Sequence, residues 1–297
     1  MLPATIDHLR EYRIRSCGGA GYQLLANGCF GAVVAVFDKS FYFEVGGKLA
    51  CVVPHDVPDG PMHLVVDLPT SLSWKSVGLE VGAPVRVTNN RVVVGRALSF
   101  DARFMKVWRP EARPVAWTVA SLSRGILGLK QIARSRLRRN SLDLYPEPDC
   151  VNPAIVGLLA AFLCAKDFEL EEPDIELKDL AAFVGLGGGL TPSGDDFLGG
   201  VMIALHAMGF VAACTAVWSV VGPVAEQTTN RISFEHLSYA SQGQTIEPLE
   251  KLKHATLAGR IEEILALAEE VSRVGHTSGW DIVSGMLCGF EAAENAM

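Results

Sequence analysis

The seven cysteines never stand at Cys-x-x-Cys spacing, which removes the usual thiol signature of a zinc site or redox pair. The N-terminus also lacks the basic-then-apolar segment of a secretory leader. A cytoplasmic protein with reduced thiols is the resulting expectation. Positive charge is in short supply: the formal net charge is −7, which argues against a nucleic-acid partner. The local basic cluster at Arg134, Arg136, Arg138 and Arg139 reads as a solvated helix end. Formal charge is missing altogether from Phe197 to Ala225, a stretch longer than the roughly 20 residues that span a bilayer. It nevertheless follows two aspartates, contains His206 and is broken near Gly209. It reads as a hairpin of buried helices, Asp195–Met208 and Val211–Val221, with no membrane partner.

What the chain has in abundance is glycine, concentrated in Gly185–Gly200, GLGGGLTPSGDDFLGG. No lysine follows the glycines as a P-loop requires, and no GxGxxG follows a clear strand, so neither common phosphate fingerprint is present. Glycine at this density permits positive φ and bare backbone N–H groups. Ser193 suits a helix N-cap, with Asp196 three residues on as a capping-box partner. A buried helix would then open into the loop, and its orphan N–H groups and dipole would favour an anion. The plain alternative is a capped turn with no chemistry. A second copy favours chemistry: in Gly275–Met286, GHTSGWDIVSGM, Ser278 falls on Ser193, Gly279 on Gly194, Asp281 on Asp196 and Gly285 on Gly200. Two such helix ends are expected to converge on one ligand from opposite sides.

Ahead of these motifs the texture is β. Residues 1–27 are indistinct, and Cys17-Gly18-Gly19-Ala20-Gly21 looks like a loop after Arg10, Arg13 and Arg15. Ala32–Phe37, Phe41–Val45, Leu49–Val53, Met62–Leu68, Val85–Thr88 and Arg91–Val94 are short β-rich runs bounded by turn residues. Asn89-Asn90 makes the last two a hairpin. His55 and Asp56 are a weaker candidate for a site. The expected fold is α+β. An N-terminal antiparallel β domain, a small barrel or sandwich-like sheet over residues 1–112, precedes a mainly helical domain over 113–297. In the latter, Ala116–Arg139 is one helix or two, Pro153–Lys166 a helix capped by Asn152, and Gly259–Val274 an amphipathic helix. Glu226–Tyr239 packs Thr228, Thr229, Asn230, Arg231, Ser233 and His236 into about three helical turns. Arg231 either pairs with Glu235 on a surface or turns inward to grip a carboxylate or phosphate.

Taken together, GLGGGLTPSGDDFLGG, TTNRIS and GHTSGWD resemble an uncharacterised-domain family that includes the AllH-type subunit of oxamate carbamoyltransferase. Gly188 stands where that family usually has proline, and Gly60-Pro61 resembles its N-terminal part. The resemblance implies carbamoyl transfer between phosphate and oxamate, other protein subunits as partners, and a small anionic substrate: carbamoyl phosphate, phosphate or a carboxylate. The implied binding set is Gly187, Gly188, Gly189, Thr191, Ser193, Gly194, Asn230, Thr277 and Ser278, with His276, Arg231 and Asp196 as catalytic candidates. A competing reading is a Mg²⁺-dependent hydrolase holding its cofactor on Asp195, Asp196 and Asp281. A third is a non-catalytic assembly subunit.

Overall fold

The computed structural model describes residues 10–26, 29–68, 72–88, 90–110, 116–136, 153–164, 175–275 and 277–297. The chain divides into two compact units, Met1–Pro110 and Glu111–Met297.

The first unit is a barrel-like sheet. Its strands are β1 (Arg10–Gly18), β2 (Phe30–Val36), β3 (Phe41–Val45), β4 (Lys48–Pro54), β5 (His63–Val66), β6 (Pro84–Thr88), β7 (Arg91–Val94), β8 (Leu98–Asp101) and β9 (Lys106–Trp108). The ring runs β5-β4-β3-β2-β6-β7-β8-β1 and closes by pairing β1 with β5, while β9 adds beside the second half of β1. The expected all-antiparallel sheet is corrected here to a mixed one. β1 runs parallel to β8 and β9, and β4 runs parallel to β5.

The source of the difference is β1 itself, which falls in the stretch that looked indistinct. Its exposed Arg10, Arg13 and Arg15 alternate with half-buried Tyr12 and buried Ile14, but a bulge between Ile14 and Ser16 breaks the period of two. Cys17–Gly21 is likewise no loop: it is the end of β1 and the start of a short helix, α1 (Gly19–Ala26). Gly18 is required there because a Cβ would stand 2.0 Å from the Gly60 carbonyl oxygen. Inside the ring, Phe41, Phe43, Trp74 and Phe100 are fully buried, with Phe41 edge-on to Trp74 at 4.9 Å. Burying each phenylalanine contributes about 1.5–3 kcal/mol, against under about 1 kcal/mol for an exposed ion pair. Rings rather than outer pairs such as Arg15–Asp67 therefore hold the barrel. Asn89 of the expected hairpin turn lies outside the described residues; Asn90 has φ +59°, as the turn requires. His55 and Asp56 sit in a surface turn, with Asp56 3.5 Å from Lys39.

The second unit is helical: α2 (Val119–Arg136), α3 (Pro153–Cys164), α4 (Ile175–Lys178), α5 (Ser193–Ala207), α6 (Val211–Thr228), α7 (Arg231–Ser241), α8 (Glu247–Leu257), α9 (Ile261–Val271) and α10 (Ser278–Ala296). A 3₁₀ turn over Asp179–Phe183 links α4 to the glycine loop. α2 is continuous across Gly125 and Gly128. Asn152, Arg138 and Arg139 lie outside the described residues. The α5–α6 hairpin turns at Gly209, whose φ of +88° and the Phe210 N–H bond to Leu205 O end α5 in a Schellman arrangement. α6 continues past Val221, across Pro223, to Thr228.

At the centre α5 and α10 lie in backbone contact. A Cβ on Gly200 would stand 2.0 Å from Ile282 O, and one on Gly285 would stand 1.9 Å from Phe197 O. Gly200 matches Gly285 in the repeat, and Phe197 matches Ile282, so the contact is two-fold symmetric in sequence. Further along, Gly289 faces Ala204 and Val201, so the helices run parallel and both N-termini emerge at one end. No helix among the described residues is long and apolar enough to cross a membrane.

Candidate functional site

The two motif helices begin side by side. Ser193 and Ser278 are each the first helical residue, after Pro192 and Thr277, neither of which makes a side-chain cap. The expected Ser193 cap and capping box with Asp196 are therefore absent. Proline fixes φ and needs no donor at that point, and the Asp196 N–H returns instead to Pro192 O at 3.0 Å. The loops before the helices close alike: the Gly194 N–H donates to Leu186 O at 2.9 Å and the Gly279 N–H to Val274 O at 3.0 Å.

The two starts meet through hydroxyls. Thr191 Oγ1 lies 2.8 Å from Ser278 Oγ and donates to Asp196 Oδ2 at 2.9 Å. A hydroxyl has one proton, so when Thr191 donates to Asp196 it accepts from Ser278. Convergence is thus from the same side, with parallel dipoles adding, rather than from opposite sides as expected. Asp196 is 6% exposed. Burial pushes its carboxyl well above the usual range; the neighbouring Thr191 and Ser278 hydroxyls oppose this, and the charges of Asp281 and Asp195 reinforce it. Asp196 is thus biased toward its protonated form.

Asp195, 2% exposed, behaves differently. Its Oδ1 accepts the Gly185 N–H at 2.7 Å, and its Oδ2 accepts Thr229 Oγ1 at 2.5 Å and Ser233 Oγ at 2.6 Å. Both oxygens of Asp195, expected as a metal ligand, accept protein donors here. Among the described residues no three His, Cys, Asp or Glu side chains are grouped to hold a metal ion. Asp281 is buried at the position matching Asp196.

Gly187 and Gly189 have φ of +102° and +105°, and Gly187, Gly188 and Gly189 are exposed. Their N–H groups, and those of Ser193 and Ser278, have no hydrogen-bond acceptor among the described residues. Gly187 packs directly over the helix start: a Cβ there would lie 2.9 Å from Ser193 N. Gly194 is buried and Thr277 exposed.

The polar segment TTNRIS is divided rather than continuous. α6 ends at Thr228, and Asn230 caps α7 by accepting the Ile232 and Ser233 N–H groups, each at 3.1 Å. Asn230 Nδ2 also donates to Leu190 O at 2.7 Å, bringing α7 to the glycine loop. Arg231 follows at the first helical position, 47% exposed, with Nη2 2.6 Å from Glu235 Oε1. The surface pairing weighed for it is the arrangement found. His276 lies outside the described residues.

Thr229 and Ser233, singled out for no role by their sequence context, both serve Asp195. Their signal was present in the density of hydroxyls ahead of α7, which an exposed helix face does not need.

Residues 183–290 match the family described as oxamate carbamoyltransferase subunit AllH, and residues 13–106 match the AllH family N-terminal domain. No solved structure matches the chain.

Proposed function

The chain belongs to the AllH family, and from that premise we propose that it is a subunit of an oxamate carbamoyltransferase-like enzyme carrying an anion site at the paired starts of α5 and α10. The supporting observation is the 2.8 Å contact between Thr191 and Ser278, which brings two glycine-preceded helix N-termini to one place. The N–H groups of Gly187, Gly188, Gly189, Ser193 and Ser278 would receive phosphate oxygens, aided by two parallel dipoles. Arg231 would take the carboxylate of oxamate, exchanging Glu235 for substrate.

In the direction that consumes oxalurate, a phosphate oxygen attacks the ureido carbonyl, the C–N bond to oxamate breaks, and the departing nitrogen leaves with a proton. Charge gathers on the carbonyl oxygen, where fixed N–H groups stabilise it. Asp196 is suited to supply the proton through the Thr191 and Ser278 hydroxyls, with His276 orienting the carbamoyl group. A neutral Asp196 and a three-times-bonded Asp195 also explain how two aspartates tolerate an anion nearby. Gly194 lets α5 begin tight against Phe183 O, and Gly279 does the same for α10 against Val271 O. The word subunit in the family description supports further protein chains in the working enzyme. The cytoplasm is the setting in which reduced thiols would persist; among the described residues no disulfide is formed.

Calorimetry with phosphate and with carbamoyl phosphate tests this. Wild type should bind both, and Gly187→Ala, whose Cβ would cover Ser193 N from 2.9 Å, should bind neither. Equal binding by the two proteins removes the helix starts from the site. The Arg231–Glu235 pair favours a second reading, in which this surface serves assembly alone; that reading expects partner chains to co-purify while neither anion binds.

A further inference from the structure

We propose that Asp195 is the positioning residue of the anion site, fixing the glycine loop by tying it to α7 without touching substrate. The inference rests on the anion reading above. Gly185 has φ +75°, and its N–H is held by Asp195 Oδ1 at 2.7 Å. The other carboxylate oxygen takes Thr229, just before α7, and Ser233, in its first turn. Between these two lies Asn230, whose Nδ2 holds Leu190 O at 2.7 Å. The result is a closed circuit: Gly185 to Asp195, Asp195 to the start of α7, α7 through Asn230 to Leu190, and back along the loop. The span from Gly185 to Leu190 is tied at both ends to one rigid frame.

Such a frame is needed because the span cannot stiffen itself. Gly187, Gly188 and Gly189 make no hydrogen bond among the described residues, and glycine carries the largest backbone freedom of any residue. An anion bound by loose N–H groups would have to order them, at a cost in affinity that preorganisation removes. Asp195 supplies that order from below, buried under the loop. It accepts three protein donors and is 2% exposed, which separates it from Asp196, whose hydroxyl partners stand at the two helix starts.

Phosphate calorimetry and amide hydrogen exchange over residues 185–190 distinguish positioning from charge. In Asp195→Asn the amide oxygen can keep Gly185, and Nδ2 can donate to the Thr229 and Ser233 hydroxyls, so the circuit survives without the charge. Phosphate affinity should then stay within about threefold of wild type. Asp195→Ala should lose about tenfold or more, the scale of one hydrogen bond to a charged group, with faster exchange confined to the loop. If Asn proves as damaging as Ala, charge is what matters and the proposal falls. Should Asp195→Ala not fold, Thr229→Val with Ser233→Ala keeps the carboxylate and cuts the tie to α7; unchanged loop exchange and affinity there overturn the proposal. If wild type itself binds no phosphate, the anion reading fails, while loop exchange in the same variants still decides whether Asp195 holds the loop.

Discussion

Asp196→Asn isolates the buried acid between the two helix starts. Desolvation, reinforced by the charges of Asp281 and Asp195, raises the Asp196 carboxyl well above the ordinary carboxylate value, and the Thr191 and Ser278 hydroxyls offset only part of this. The folded protein therefore holds this proton to a higher pH than the unfolded chain, which releases it at about pH 4. The sign follows directly. The stability from this group is fully present below the unfolded value and is lost as pH rises through the raised folded value. One proton of difference gives a slope of about −1.4 kcal/mol per pH unit across that window. Asparagine cannot titrate, and its amide oxygen can still accept from Thr191, so the variant should lack this slope while keeping its fold. Urea unfolding of both proteins in half-unit steps from about pH 4.5 to about pH 7.5 measures it, since other titrating groups cancel in the difference. The variant should gain on wild type steadily as pH rises. Parallel profiles would refute a neutral Asp196, and with it the reason an anion can sit beside this cluster.

Gly200→Ala should destabilise by about 1–3 kcal/mol or more, because its Cβ would lie 2.0 Å from Ile282 O; Gly199→Ala, with Ala240 Cβ at 3.4 Å, is the control, and thermal melts compare them. Glu250→Gln should cost about 3–5 kcal/mol in denaturant unfolding, since Lys253, bonded to Glu250 at 2.6 Å, is left charged at 8% exposure. Arg231→Ala should change stability by only about 0.3–0.5 kcal/mol, as the arginine end of its i,i+4 pair is 47% exposed, while weakening oxamate binding at least about tenfold. Oxamate affinity unchanged by calorimetry would leave Arg231 as surface.

The helical half was legible because its motifs carry strong local rules. The charge-free run, Gly209 and the repeated Ser-Gly-x-Asp placed α5 and α10, while the close contact at Gly200 and Gly285 emerged only in the fold. The hydrogen-bond partners of the aspartates were not legible. Asp195 and Asp196 are adjacent in sequence, yet a helix turns neighbouring side chains about 100° apart, sending one under the loop and the other to the facing helix. Pairing β1 with β5, β8 and β9 joins segments remote in sequence, and local texture says nothing of strand direction; the bulge at Ile14 and the arginines on its outer face hid the strand as well. α8 showed no such signal, because its buried Glu250 and Lys253 resemble a solvated pair until the fold places them.

The most direct test is amide chemical-shift mapping of the isotopically labelled chain during a phosphate titration. Saturable shifts should concentrate at Gly187, Gly188, Gly189, Ser193 and Ser278 together, as the proposed shared site requires. Shifts at only one of the two helix starts, or at neither, would contradict a site shared by α5 and α10.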